Sequence, residues 1–163
     1  MRLAELNALS FDAAVREFLR CCGSTKWARA MTTARPFATI EAVHAAADTM
    51  TNSLDPSDWL EAFHSHPRIG ERATAGASWS RDEQAGAHGA SDAVRDRLAA
   101  RNREYEARFG YIFIVCATGR TADEMLADLE RRLAHNAGDE LSVAAAEQRK
   151  ITRLRLAKLL GAD

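Results

Sequence analysis

Two histidines stand two residues apart in Phe63-His64-Ser65-His66-Pro67-Arg68-Ile69-Gly70, and Ser80 precedes Glu83 by three residues in Trp79-Ser80-Arg81-Asp82-Glu83-Gln84-Ala85-Gly86. Imidazole titrates near neutral pH, so a histidine facing a carboxylate can move protons on and off a substrate. The Gly/Ala/Ser-rich loop from Gly70 to Ser78 has the composition to fold the two segments against one another. Pro67 favours extended backbone at His66, which would hold that ring in a fixed direction. Plainer readings stand beside these. One histidine of the pair suits a helix C-cap. Ser-x-x-Glu is also the capping-box pattern, with Trp79 fixing the chain's entry. The two uses of Ser80 and Glu83 are compatible, because a helix N-terminus offers backbone N–H groups to an anion.

Arg155 is the third candidate. At helical spacing it falls on the line of Ile151 and Leu159, whereas Arg149 and Arg153 lie off that line. An arginine in an apolar stripe calls for an anionic partner, either a buried carboxylate or a substrate. Metal binding by His64 and His66 needs further ligands. His44, His88 and His135 are scattered, and no His-x-x-x-His occurs, so no metal site is expected. No phosphate loop or dinucleotide fingerprint is present either.

These side chains must be positioned by helices. Ser10 caps one running through Leu19, with Gly23 as its stop, and Trp27–Thr33 forms a second, ended by Pro36. Thr39 precedes a third over Ile40–Thr49. Asp55-Pro56 starts a fourth, which carries Trp59, Leu60 and Phe63 inward and ends at the His64–Pro67 segment. The next begins at Ser80 and continues, bent near Gly86 and Gly89, toward Phe109. Thr121-Ala122-Asp123-Glu124 is a capping box that starts a helix through Leu133, ended by Gly138. The last helix runs from about Glu140 to Leu160. The run Gly110–Ala117 has strand propensity but no second strand to pair with. It reads as a buried segment, part helix and part extended, with Cys116 buried and inert. The expectation is a single all-α domain over residues 1–163.

Composition narrows the function classes. The chain has 47% hydrophobic and 28% charged residues and a net charge of −1. That balance argues against nucleic acid or an anionic membrane surface as partner. The cysteines, Cys21, Cys22 and Cys116, are odd in number with no Cys-x-x-Cys, which points to a reducing compartment. Met1–Asn7 lacks the apolar run of a signal peptide, no stretch approaches a membrane span, and Gly161-Ala162-Asp163 is no targeting address. A cytoplasmic protein is expected.

Taken together and in order, several segments resemble one family. They are Cys22-Gly23-Ser24-x-x-Trp27, Arg35-Pro36-Phe37, His66-Pro67-Arg68-Ile69-Gly70, Trp79-Ser80-x-x-Glu83-Gln84-Ala85-Gly86, Phe109–Ala117 and Glu147–Leu156. The set is similar to the OHCU decarboxylase family, which acts on 2-oxo-4-hydroxy-4-carboxy-5-ureidoimidazoline in urate breakdown. The resemblance implies an all-helical, homodimeric, cofactor-free enzyme that yields (S)-allantoin and CO₂. It places the catalytic histidine at His66 and its glutamate partner at Glu83. It implies substrate contacts from Pro67, from Ser80, Arg81, Asp82 and Gln84, and from the backbone of Val115, Cys116, Ala117, Thr118 and Gly119. The family's C-terminal arginine falls on Arg155. Two rival classes are a metal-dependent hydrolase using His64 and His66, and a non-enzymatic helical interaction module. The spread of apolar residues in the last helix (Ile151, Leu154, Leu156, Leu159, Leu160) suits a dimer contact.

Overall fold

Short local signals set most helix boundaries. A computed structural model describes residues 1–69 and 91–161. Among these, eight helices and no strand occur: α1 Leu3–Ala8, α2 Phe11–Cys21, α3 Thr25–Thr33, α4 Ile40–Thr51, α5 Pro56–His64, α6 Asp92–Phe109, α7 Ala122–Arg132 and α8 Ala137–Leu160. The all-α expectation holds. Side-chain caps sit at Ser10, Ser24, Thr39, Ser91 and Thr121, each accepting a backbone N–H of the first turn. Thr121 and Glu124 complete the reciprocal capping box. Asp55 accepts the N–H groups of Ser57 and Asp58 at 3.0 and 3.2 Å, and Pro56 occupies the first helical position of α5.

The chain's contacts divide it into two units. The first comprises Met1–Ala62 and Gln148–Asp163. Its core holds Leu6, Phe18, Trp27, Met31, Val43, Leu156 and Leu159, all essentially buried. Burying each large side chain contributes about 2 kcal/mol. Phe18 and Trp27 meet edge to face at 5.9 Å, and the Trp27 indole donates to the Ala47 carbonyl at 3.3 Å. α1 has no strong sequence signal and was not expected. Its carbonyls are held from a distance, with Arg35 Nη1 donating to Leu6 and Leu9 at 2.6 and 3.0 Å. Asn7 exchanges two hydrogen bonds with the backbone of Phe37.

The second unit comprises Phe63–Glu147. α6 ends on Gly110, whose φ of 80° is left-handed and suits a residue without a Cβ. The following segment, Ile112–Ala117, is neither helix nor strand, so the expected helical part is absent. Tyr105 packs against Phe109, Tyr111 and Phe113 with ring centroids 4.7, 5.8 and 5.4 Å apart. The stop assigned to Gly138 is displaced. α7 already ends at Arg132, and Gly138 lies in the first turn of α8. There Asn136 accepts the Asp139 N–H at 2.9 Å, so a local cap outweighs glycine's tendency to terminate. The expected helix start at Ser80 lies outside the described residues.

Candidate functional site

His66 follows the C-terminus of α5. Its N–H donates to the Phe63 carbonyl at 3.1 Å, continuing the last turn. The segment is fixed on both sides. Phe63 is buried and its ring lies 5.2 Å from that of Tyr111. Arg68 makes a fork with Glu106 of α6, Nε to Oε1 at 2.5 Å and Nη2 to Oε2 at 3.0 Å. His66 and Pro67 are half-buried, while His64 is exposed in the last turn of α5. One histidine of the pair thus lies in the last turn of α5 and the other just beyond it.

Among the described residues, the Val115–Gly119 segment is held by side chains and no strand lies beside it. Arg132 Nη1 donates to the Ile114 carbonyl at 2.8 Å, and Glu147 Oε2 accepts the Cys116 N–H at 2.8 Å. These contacts supply the backbone partners that strand propensity had promised from a sheet. Ala117 accepts the Arg120 N–H at 3.0 Å in a turn through Gly119, whose φ of 77° is left-handed. Val115 and Ala117 are buried and Thr118 and Gly119 exposed. Cys116 is half-buried rather than buried. The Arg120 side chain runs back to Asp128 at 3.1 Å. Burial works to raise the Asp128 carboxyl, but the hydrogen bonds from Arg120 and Arg131 outweigh it and hold the group below the usual range.

Behind this segment lies a buried charge cluster. Arg132 is 0% exposed and binds Glu140 Oε1 through Nε and Nη2 at 2.9 and 2.6 Å. Tyr105 also donates to Glu140, and His135 Nδ1 lies 2.8 Å from Glu140 Oε2. The Arg132 guanidinium stands 4.5 Å from the Phe113 ring centroid. Burial, reinforced by the bond to Glu140, pushes the Tyr105 hydroxyl well above the ordinary tyrosine value.

Residues 7–157 match the profile of the family described as OHCU decarboxylase. The chain belongs to that family. It is 42% identical over 149 residues to the uric acid degradation bifunctional protein TTL of Arabidopsis thaliana, covering 88% of this chain but 46% of that one. The chain therefore spans about half of that relative's length. It is 27% identical over 166 residues to the 2-oxo-4-hydroxy-4-carboxy-5-ureidoimidazoline decarboxylase of Haloferax volcanii, covering 100% of this chain and 98% of the relative. A crystal structure of OHCU decarboxylase in the presence of (S)-allantoin superposes with a TM-score of 0.80 at 40% identity, over 89% of this chain and 97% of that chain.

Of the residues the OHCU decarboxylase resemblance singles out, His66 and Pro67 lie on one segment and Val115–Gly119 on another, both in the Phe63–Glu147 unit. Arg155 belongs to the other unit, where it is 6% exposed on α8. Its Nη1 donates to the Arg20 carbonyl at 3.3 Å, in the last turn of α2, where the helix dipole favours a cation. Arg153 is instead exposed and paired with Asp48 at 3.0 Å, and Arg149 donates to Asn52 at 3.2 Å. Burial pushes the Cys21 thiol up to about 12, against the pull of Arg155 and Arg20, and raises Cys22 as well. Ser80, Arg81, Asp82, Glu83 and Gln84 lie outside the described residues. Among the described residues, no three His, Cys, Asp or Glu side chains group as a metal ion would require. Nor is any described helix long and apolar enough to cross a membrane. Sequence reasoning did not assign Glu147, Arg132 or Glu140. Glu147 entered only as the first residue of the Glu147–Leu156 segment of the resemblance, with no role of its own.

Proposed function

We propose that this chain decarboxylates 2-oxo-4-hydroxy-4-carboxy-5-ureidoimidazoline to (S)-allantoin and CO₂, within urate breakdown. The observation that carries this reading is the match to OHCU decarboxylase in the presence of (S)-allantoin, at 40% identity over nearly all of that chain. The whole chain, residues 1–163, would act as one catalytic domain. It would work as a cytoplasmic homodimer, without cofactor or metal.

The chemistry suits these residues. When the C4–carboxylate bond breaks, its electron pair moves into a C4–C5 double bond, and the C5=N electrons move to nitrogen, which takes a proton. The resulting enol gives up its hydroxyl proton as C5 gains one, leaving the C4 carbonyl of allantoin. The ring is the electron sink. His66 would exchange protons at the 4-hydroxyl and C5. Glu83 would orient that imidazole or hold the ureido group. Ser80, Arg81, Asp82 and Gln84 would contact the substrate beside it, with Pro67 lining the pocket. The backbone of Val115, Cys116, Ala117, Thr118 and Gly119 would meet ring or ureido oxygens, and Arg155 would bind an anionic or carbonyl oxygen. The burial of Arg155 and the surface ion pair of Arg153 favour Arg155 for that role.

The test is to generate the substrate from urate with urate oxidase and hydroxyisourate hydrolase, then follow CO₂ release with and without this protein. Catalytic amounts should accelerate release in proportion to enzyme. Release at the uncatalysed rate from folded protein would overturn the assignment.

A further inference from the structure

Glu147 is a buried carboxylate to which the proposed reaction assigns no part. It sits on α8, 7% exposed, and Oε2 accepts the Cys116 N–H at 2.8 Å. Two residues earlier, Arg132 on α7 donates to the Ile114 carbonyl at 2.8 Å. These two bonds act on successive peptide units. The Ile114 carbonyl belongs to the peptide before Val115 and the Cys116 N–H to the peptide after it. With both planes held, φ and ψ of Val115 are set together, because those planes are what the two dihedrals rotate.

This matters because Ile112–Ala117 is itself neither helix nor strand. Downstream of Cys116, among the described residues, the chain is kept by a turn, in which Arg120 N–H donates to Ala117, and by Arg120 on Asp128. The two clamps differ in what they can serve. Arg132 is fully enclosed, shared with Glu140, Asp128 and the Phe113 ring, and its removal disturbs the core. Glu147 makes a charge-assisted bond to the backbone of the very segment proposed to meet the substrate.

We infer that Glu147 is a positioning residue, which sets the Val115–Gly119 backbone for substrate binding by holding the Cys116 N–H. The inference rests on the proposed decarboxylase reading. Misplacing a binding backbone by an ångström costs on the order of a hundredfold in rate constants. Because the contact is with bound substrate, the loss should appear chiefly in KM.

The experiment compares Glu147→Ala, Glu147→Asp and Glu147→Gln in steady-state turnover, with amide hydrogen exchange at Cys116 measured alongside. Asp retains the charge but falls about 1.5 Å short of the N–H, roughly one C–C bond. Gln retains an acceptor at full reach. The expected result is a KM raised about tenfold or more for Ala and Asp, near wild type for Gln, with faster Cys116 exchange in the first two. Should Ala fail to fold, Asp against Gln carries the comparison. Wild-type KM in the Asp variant overturns the inference. So does a loss confined to kcat, which a merely structural role would give through a smaller active fraction. A wild-type chain that forms no (S)-allantoin overturns the proposed function and the catalytic half of this inference. The exchange rates then decide the clamp by themselves.

Discussion

A proton must leave an oxygen and another must reach carbon in the proposed reaction, and His66 is the residue proposed to carry that traffic. It sits just beyond a helix end, half-buried, between a buried Phe63 and an Arg68 locked to Glu106. His66→Ala should lower kcat by about a hundredfold or more while leaving the far-ultraviolet spectrum unchanged. Rates within a few-fold of wild type would remove the histidine from the mechanism. The thiols supply an independent residue-level check on burial. With Cys21 pushed up to about 12 and Cys22 raised, their thiolate fractions at pH 8 are very small. Half-buried Cys116 should therefore be the only thiol that iodoacetamide labels quickly in native protein, and mass spectrometry would show one adduct. Rapid labelling of Cys21 or Cys22 would contradict the packing of α2.

Helix α5 matters because the His66 segment hangs from its end. Its start depends on the Asp55 carboxylate, which Ser57 and the Asp58 backbone hold down at about 2. A carboxyl lowered in the fold stabilises above its unfolded value near 4, and that stability is lost as pH falls toward 2. Wild type should thus be more stable than Asp55→Ala at neutral pH, and the gap should close between pH ~4 and ~2 in denaturant titrations. A gap independent of pH would mean that the cap does not act through its charge. The Arg132–Glu140 pair holds the other segment. Arg132→Met would leave Glu140 buried without its cation, at a cost of about 3–5 kcal/mol in urea unfolding. The double variant with Glu140→Leu should recover part of that loss, because the stranded charge is gone.

At this scale it is clear what a sequence can show. The caps at Ser10, Thr39, Asp55 and Thr121 were legible because cap and recipient lie within three residues. α1 was not, since its carbonyls are held by Arg35, far along the chain. Gly110–Ala117 misled local propensity. The partners of Ile114 and Cys116 are side chains 18 and 31 residues away, which no local pattern announces. As a candidate for the proposed chemistry, His66 was singled out from residue type and the proline after it. Glu147 and Arg132 were not, because a buried charge shows its purpose only once its distant partner is known.

For the molecule as a whole, the first unit is built from both ends of the chain, Met1–Ala62 and Gln148–Asp163. Buried Leu156, Leu159 and Leu160 come from the second of these stretches. Removal of residues after Glu147 should therefore abolish folding of the first unit, not merely trim a helix. Light scattering of the full chain should give twice the protomer mass if the proposed homodimer forms. The most direct measurement is circular dichroism during turnover. Urate is converted in place by urate oxidase and hydroxyisourate hydrolase, and this protein is added intact or as His66→Ala. Spontaneous decay gives racemic allantoin and no lasting optical signal. A rapid (S)-allantoin signal is expected with the intact protein and none above background with the variant. An intact, folded protein that leaves the solution optically silent would contradict it.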